Sequence, residues 1–254
     1  PEKARTLFEK SLQLSEQLHD SFGIAKVNNG LGVLSMSLGD SAQARKSFEA
    51  AIAHSTKNHR IEDLVIARTN LSELFHCIGY FSKAVQLLNS TIKESLDFQF
   101  HFGVSIALRH SAILHIDLGR YSEAKEQAQS ALDFNRKQHN QQEYLAALVA
   151  WLRCHFSAGN WEDVGPRLEE AIDLLPQYDS EGYSPIVLSW KARMEMHLHK
   201  DIDGAITLLK LAKQRIKPNR KFQEVRCMLN IARGWSAVGK TQEAVSFANE
   251  ALVM

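Results

Sequence analysis

A glycine followed five residues later by an alanine recurs along the chain. It stands at Gly39/Ala44, Gly79/Ala84, Gly119/Ala124 and Gly239/Ala244, with Gly159/Val164 and Lys200/Ala205 as imperfect copies between them. Successive members lie 40, 40, 40, 41 and 39 residues apart. A fixed period of that length means one supersecondary unit stacked several times, because a single unit leaves an apolar face that only a neighbour can cover. Ala4 falls in the same register and marks a further, partial unit at the start.

The physics of one unit is legible in residues 66–96. Ile66, Leu71, Leu74, Phe75 and Ile78 recur at the spacing of an apolar stripe on an α-helix. Gly79 closes that helix, since glycine adopts positive φ without steric cost and lets the chain reverse within a few residues. Ala84, Leu87, Leu88 and Ile92 then restart the helical period. Ala84 is small because the two antiparallel helices approach most closely near the turn, where a larger side chain overpacks by roughly 1–3 kcal/mol. Tyr121 and Trp161 supply an aromatic at the start of two second helices, placed to fill the gap between units.

No Pro, Gly or Ser run marks a linker among the 5 prolines and 13 glycines, so the repeat is expected to form one domain over 1–254. The fifth unit departs most, with Lys200 in the glycine place and Arg193 where a small residue belongs. Gly182 and Pro185 precede it, so an irregular joint is expected near residues 176–186. The chain lacks an initiator Met and starts and stops at second helices, so it reads as a fragment of a larger protein.

A formal net charge of +1 argues against nucleic-acid binding through bulk charge. No apolar stretch reaches the roughly 20 residues of a membrane span, and no signal peptide opens the chain. Three cysteines, Cys77, Cys154 and Cys227, are an odd number far apart in sequence. That usage fits reduced thiols and a cytoplasmic location.

The pattern resembles the tetratricopeptide repeat (TPR) in its long, roughly 40-residue form. The resemblance rests on the turn glycine, the alanine five later, and a small residue twelve later: Ala51, Thr91, Ala131, Ala171, Ala212 and Ala251. Leu31-Gly32, Leu71-Ser72, Ser111-Ala112 and Ile231-Ala232 complete it ahead of the turn. HEAT and armadillo units lack this glycine turn, and pentatricopeptide units are shorter. The resemblance implies an all-α fold, a right-handed α-α superhelical solenoid of about six helix-turn-helix units plus a leading half-unit. It also implies that the first helices line a concave groove that accepts a peptide or protein segment.

Under that implication, counting back from each turn position assigns the groove to Lys26, Asn29, Asn70, Glu73, His76, Arg109, His110, Arg153, Trp190, Lys191, Arg226, Asn230 and Arg233. Asn70 and Asn230 stand where the family places asparagines that bond a bound backbone, but only two of six units keep them. Arg109, Arg153, Lys191, Arg226 and Arg233 outnumber the acidic residues on this face. Two readings fit: an acidic or phosphorylated ligand paired with arginine, or solvated cations on an unused helix face. Trp190 is either an interface anchor or a core residue.

Residues 234–241 satisfy the G-x-x-x-x-G-K-[ST] expression of a phosphate-binding loop. A real loop follows a strand, whereas residues 225–238 read as a first helix, so the match is read as coincidence. The His197/His199 pair is spaced i, i+2 and does not share a helix face. His115 and His155 fall four before a turn glycine, in a packed position. No cluster has metal-ligand spacing, so neither metal nor other cofactor is expected. The expected function is therefore non-catalytic: a protein-interaction module of the cytoplasm, with neither nucleic acid nor membrane as partner. The alternative is a ligand-sensing regulatory module controlling an output domain outside this sequence. Self-association through the groove or the exposed terminal helices, the last of which carries Val245, Phe247, Ala248, Leu252 and Val253, is a third expectation.

Overall fold

The computed structural model describes the backbone of residues 2–161, 164–216 and 221–253, with all their side chains except those at 199, 221–224, 226 and 227. Among these residues every regular element is helical. The chain divides into two compact units, residues 1–138 and 139–254.

The first unit holds α1 (Glu2–Gln17), α2 (Ser21–Ser37), α3 (Ser41–Lys57), α4 (Ile61–Cys77), α5 (Phe81–Asp97), α6 (His101–Asp117) and α7 (Tyr121–Lys137). Helices α2, α4 and α6 are the first helices of three repeats, and α3, α5 and α7 the second. Each turn glycine is left-handed, with φ of +79° at Gly39, +82° at Gly79 and +72° at Gly119. The Asp40 amide then donates back to the Ser35 carbonyl over 2.9 Å and the Gly39 amide to Met36 over 3.1 Å, which satisfies two carbonyls at the helix end.

The links between repeats use the same turn with different chemistry. His19, His59 and Gln99 adopt φ of +52° to +54°, and the amides of Asp20, Arg60 and Phe100 reach back to Ser15, Ser55 and Ser95. A 40-residue period thus runs through both sets of turns, although only one set carries glycine. The alanines that follow the turn glycines pack as expected: Ala44, Ala84 and Ala124 are fully buried, as are Thr91 and Ala131 of the later small-residue column. Phe48, Leu71, Leu74, Phe75, Leu88 and Leu114 build one continuous core around Ala44 and Ala84.

The second unit holds α8 (Gln141–Ala158), α9 (Gly165–Tyr178), α10 (Ser184–Met194), α11 (Ile202–Gln214), α12 (Lys221–Ala237) and α13 (Thr241–Val253). Its helices are less uniform. Helix α9 starts late because Pro166, which has no amide hydrogen to donate, occupies the first turn. A loop at Asp179–Tyr183 joins α9 to α10, and the Asp179 carboxylate ties it by accepting from the amides of Tyr183 and Ser184 and from the Ser184 hydroxyl.

The largest departure is a π-turn, Glu195–His199, at the end of α10. A π-turn accommodates one residue more than the α-helix it interrupts. That extra residue accounts for the 41-residue interval before Lys200, and the 39-residue interval after it reflects one residue fewer in the sequence between Ala212 and Ile231. Ahead of the π-turn, the 40-residue register is intact. Ala192 aligns with Gly32, Ser72, Ala112 and Ala232, and like them it is buried. Lys200 closes the turn in the left-handed conformation at φ +54°. Beyond it, Ala205, Leu209, Ala212, Ile231, Trp235 and Phe247 belong to one core cluster of this unit.

Candidate functional site

In the first unit, the face assigned from sequence is a seam between successive first helices. Asn70 Nδ2 on α4 donates to Asn29 Oδ1 on α2 over 2.9 Å. His76 Nε2 on α4 lies 3.0 Å from Asp117 Oδ2 on α6. Both pairs are partly buried, so the polar groups of this face link neighbouring repeats as well as meeting solvent. Lys26 is exposed and rests its ammonium 4.1 Å from the Phe22 ring centre, and Arg60 lies 4.5 Å from the same ring. Glu73, Arg109 and His110 are half-buried on α4 and α6. Val33, in the same column as Glu73, is 46% exposed.

In the second unit, the π-turn lies between the face of α10 and the turn at Lys200, so it displaces by one residue any count made back from that turn. Counting back from Lys200 placed Trp190, Lys191 and Met194 in the groove columns, one residue too far along. In the unbroken 40-residue register, Trp190 aligns with Asn70 and Asn230, and Arg193 aligns with Arg153 and Arg233. Lys191 is neutralised by Glu169 of α9 and by Glu195 of the π-turn, Glu195 at 2.8 Å. Burial pulls the Lys191 ammonium down, but its hydrogen bonds to these two carboxylates outweigh that, and its pKa stands above the ordinary value.

Arg193 is the functional candidate that the sequence count missed. Its guanidinium stacks 4.4 Å from the Trp161 ring centre and 5.6 Å from that of Phe156. Phe156 stacks in turn on Trp190, with centroids 5.1 Å apart and planes 8° from parallel. Trp161 also contacts the His197 ring at 4.3 Å. Trp190 is only 2% exposed, so it serves as the floor of this cluster rather than a projecting anchor. Burial, and then the neighbouring charge of Arg233, lower the Arg193 guanidinium to about 10. Arg233 is exposed on α12, Arg153 is half-buried on α8, and Asn230 is buried. The side chain of Arg226 lies outside the described residues. The 41 and 39 intervals, which together span two 40-residue repeats, were the signal that could have placed Arg193 from sequence.

The other sequence features resolve into packing. Gly234 of the phosphate-loop expression sits inside α12, where an added Cβ would lie 2.5 Å from Leu209 Cδ2. Gly239 is the turn glycine at φ +75°, preceded by helix. His115 and His155 are buried in their repeats. No group of three or more His, Cys, Asp and Glu that could hold a metal ion occurs among the described residues. Among them, too, no helix is long and apolar enough to cross a membrane. On α13, Phe247 packs inward, while Val245, Leu252 and Val253 are exposed.

A family model for the MalT-like TPR region matches residues 1–252. Among solved structures, the chain is similar to a Rap protein in complex with competence and sporulation factor. The TM-score is 0.77 at 13% identity, over 96% of this chain and 67% of that one. It is similar to the apo form of RapI, with TM-score 0.76 and 12% identity over 98% and 89% of the two chains. It also resembles the apo form of the quorum sensor NprR from B. thuringiensis, with TM-score 0.67 and 14% identity over 90% and 64%. At these identities the likeness is one of fold.

Proposed function

Because the chain belongs to the MalT-like TPR region family, we propose that it is a non-catalytic interaction module whose first helices bind a polypeptide segment of a partner. The observation that carries this reading is the polar and basic make-up of the first-helix faces. Asn29, Asn70, Glu73, His76, Arg109 and His110 lie on one unit, and Arg153, Arg193, Asn230 and Arg233 on the other. A face needed only for stacking is better served by apolar side chains, because each polar group brought against a neighbour must be matched by a partner. Arginine on such a face favours an acidic segment. A near-neutral chain gives no reason to expect nucleic acid, and we place the module in the cytoplasm.

A regulatory use of that binding is the second reading. The structural likeness to a Rap protein held with competence and sporulation factor, and to a quorum sensor, supports it.

Photo-crosslinking in a lysate of the source cell tests the binding face. A photoreactive residue at Val33 or Glu73 is expected to capture a polypeptide, and the same residue at Lys46 or Lys93, exposed on second helices, is not. Equal capture from both sets, or capture only from the second helices, contradicts the reading.

A further inference from the structure

Three arginines, Arg153, Arg193 and Arg233, stand 40 residues apart on α8, α10 and α12. The equivalent positions in the first unit are Val33, Glu73 and Ile113, so the basic column belongs to the second unit alone. Arg193 lies against the rings of Trp161 and Phe156, and Arg233 is near enough to act on its charge. Two like charges brought together, one of them largely removed from water, oppose folding unless something offsets them. Among the described residues, neither Arg193 nor Arg233 has a carboxylate within ion-pair distance. A guanidinium held flat on aromatic rings keeps its N–H edge oriented for bidentate bonding to a carboxylate.

We propose that this arginine column is an acidic-segment reader, binding the carboxylates of an extended polypeptide that carries Asp or Glu at every third position. The proposal rests on the reading of the first helices as a polypeptide-binding face and specifies the chemistry of its ligand. Spacing carries the periodicity. Helices packed side by side lie roughly 8–10 Å apart. A polyproline II chain rises about 3.1 Å per residue with three residues per turn, so residues three apart fall about 9 Å apart on one side. Each such carboxylate meets the arginine of one repeat. The stacked rings of Phe156 and Trp190 floor the middle position.

Selection of a random twelve-residue peptide library displayed on phage, against the whole chain, tests this. Titration of a synthetic winner then follows against the chain and its Arg193→Gln, Arg193→Lys and Arg233→Gln variants, each checked for unchanged helicity. The expected result is enrichment of Asp or Glu three residues apart, with binding that weakens as salt rises. Arg193→Gln and Arg233→Gln are each expected to lose about tenfold or more in affinity, as for a charge-assisted hydrogen bond. Arg193→Lys should rescue only in part, because lysine lacks the planar fork. Arg233 is exposed, so its variant reports on binding even where Arg193→Gln loses structure. Winners without acidic residues, with another acidic spacing, or with affinity indifferent to both glutamine variants overturn the arginine reading and leave polypeptide binding standing. No enrichment above background overturns both.

Discussion

The indole of Trp190 lies almost parallel to the ring of Phe156, joining α10 to α8 through two side chains whose centroids are 5.1 Å apart. Stacked, buried aromatics of this kind hold repeats together through lost water contact and ring packing. Trp190→Ala is expected to lower unfolding free energy by roughly 3–5 kcal/mol, as for other buried tryptophans. Trp190→Phe should cost less because it keeps a ring on Phe156. Urea denaturation followed by circular dichroism checks both, and an alanine variant as stable as the parent would contradict the packing described.

Two glycines of the first repeat are irreplaceable for different reasons. A Cβ on Gly32 would lie 2.4 Å from Cε1 of the fully buried Phe48, so Gly32→Ala is expected to cost roughly 1–3 kcal/mol by overpacking. Gly39 has open space around it but φ of +79°, so Gly39→Ala is expected to cost about 1–2 kcal/mol through backbone strain. Adding Phe48→Leu discriminates them. Measured against the Phe48→Leu background, the Gly32→Ala penalty should shrink and the Gly39→Ala penalty should not.

Lys200 adopts a left-handed conformation in a turn that glycine fills elsewhere. Lys200→Gly is expected to raise stability by about 0.5–1 kcal/mol, the relief of backbone strain less the added freedom of the unfolded chain. Thermal denaturation reads the effect directly.

The π-turn makes a sharper forecast. Deleting exposed Leu198 restores a 40-residue interval between Gly159 and the next turn, so helicity and a cooperative transition are expected to survive. Deleting Ser72 from the middle of α4 shifts every following side chain of that helix off its packed face, and should abolish the transition.

Most of the architecture was legible because packing imposes a small residue wherever helices approach closely. Ala44, Ala84 and Ala124 are buried at the positions their spacing assigned, and Gly39, Gly79 and Gly119 turn left-handed there. The turns between repeats were not legible in the same way. His19, His59 and Gln99 take the same conformation without glycine's signature, held by backbone hydrogen bonds that any residue can make. The count of face positions slipped at one place for one reason: a count displaced by a single inserted residue points about 100° away around the helix, from 3.6 residues per turn. Because that residue lies between the face of α10 and Lys200, a count back from Lys200 names Lys191 in place of Trp190 and Met194 in place of Arg193.

Arg193 also makes a stability forecast with a definite sign. Its pKa is lowered to about 10, first by burial and then by Arg233, so the charged form is disfavoured in the folded chain. Between that value and the ordinary guanidinium pKa, the unfolded chain binds more protons, so this group's contribution to stability rises with pH through that window. Below it, the charge opposes folding throughout. Arg193→Met, which keeps bulk against Trp161 and removes the charge, is therefore expected to leave the thermal midpoint at pH 7 equal to or above that of the parent. A clear fall would mean that the ring stacking outweighs the burial of charge.

Amide hydrogen exchange, with and without a polypeptide captured by crosslinking, tests the central claim most directly, since bound faces slow the local openings that permit exchange. The account predicts added protection on α2, α4 and α6, or on α8, α10 and α12, with α3, α5, α7 and α11 unchanged. Protection concentrated on those second helices instead would contradict a first-helix binding face.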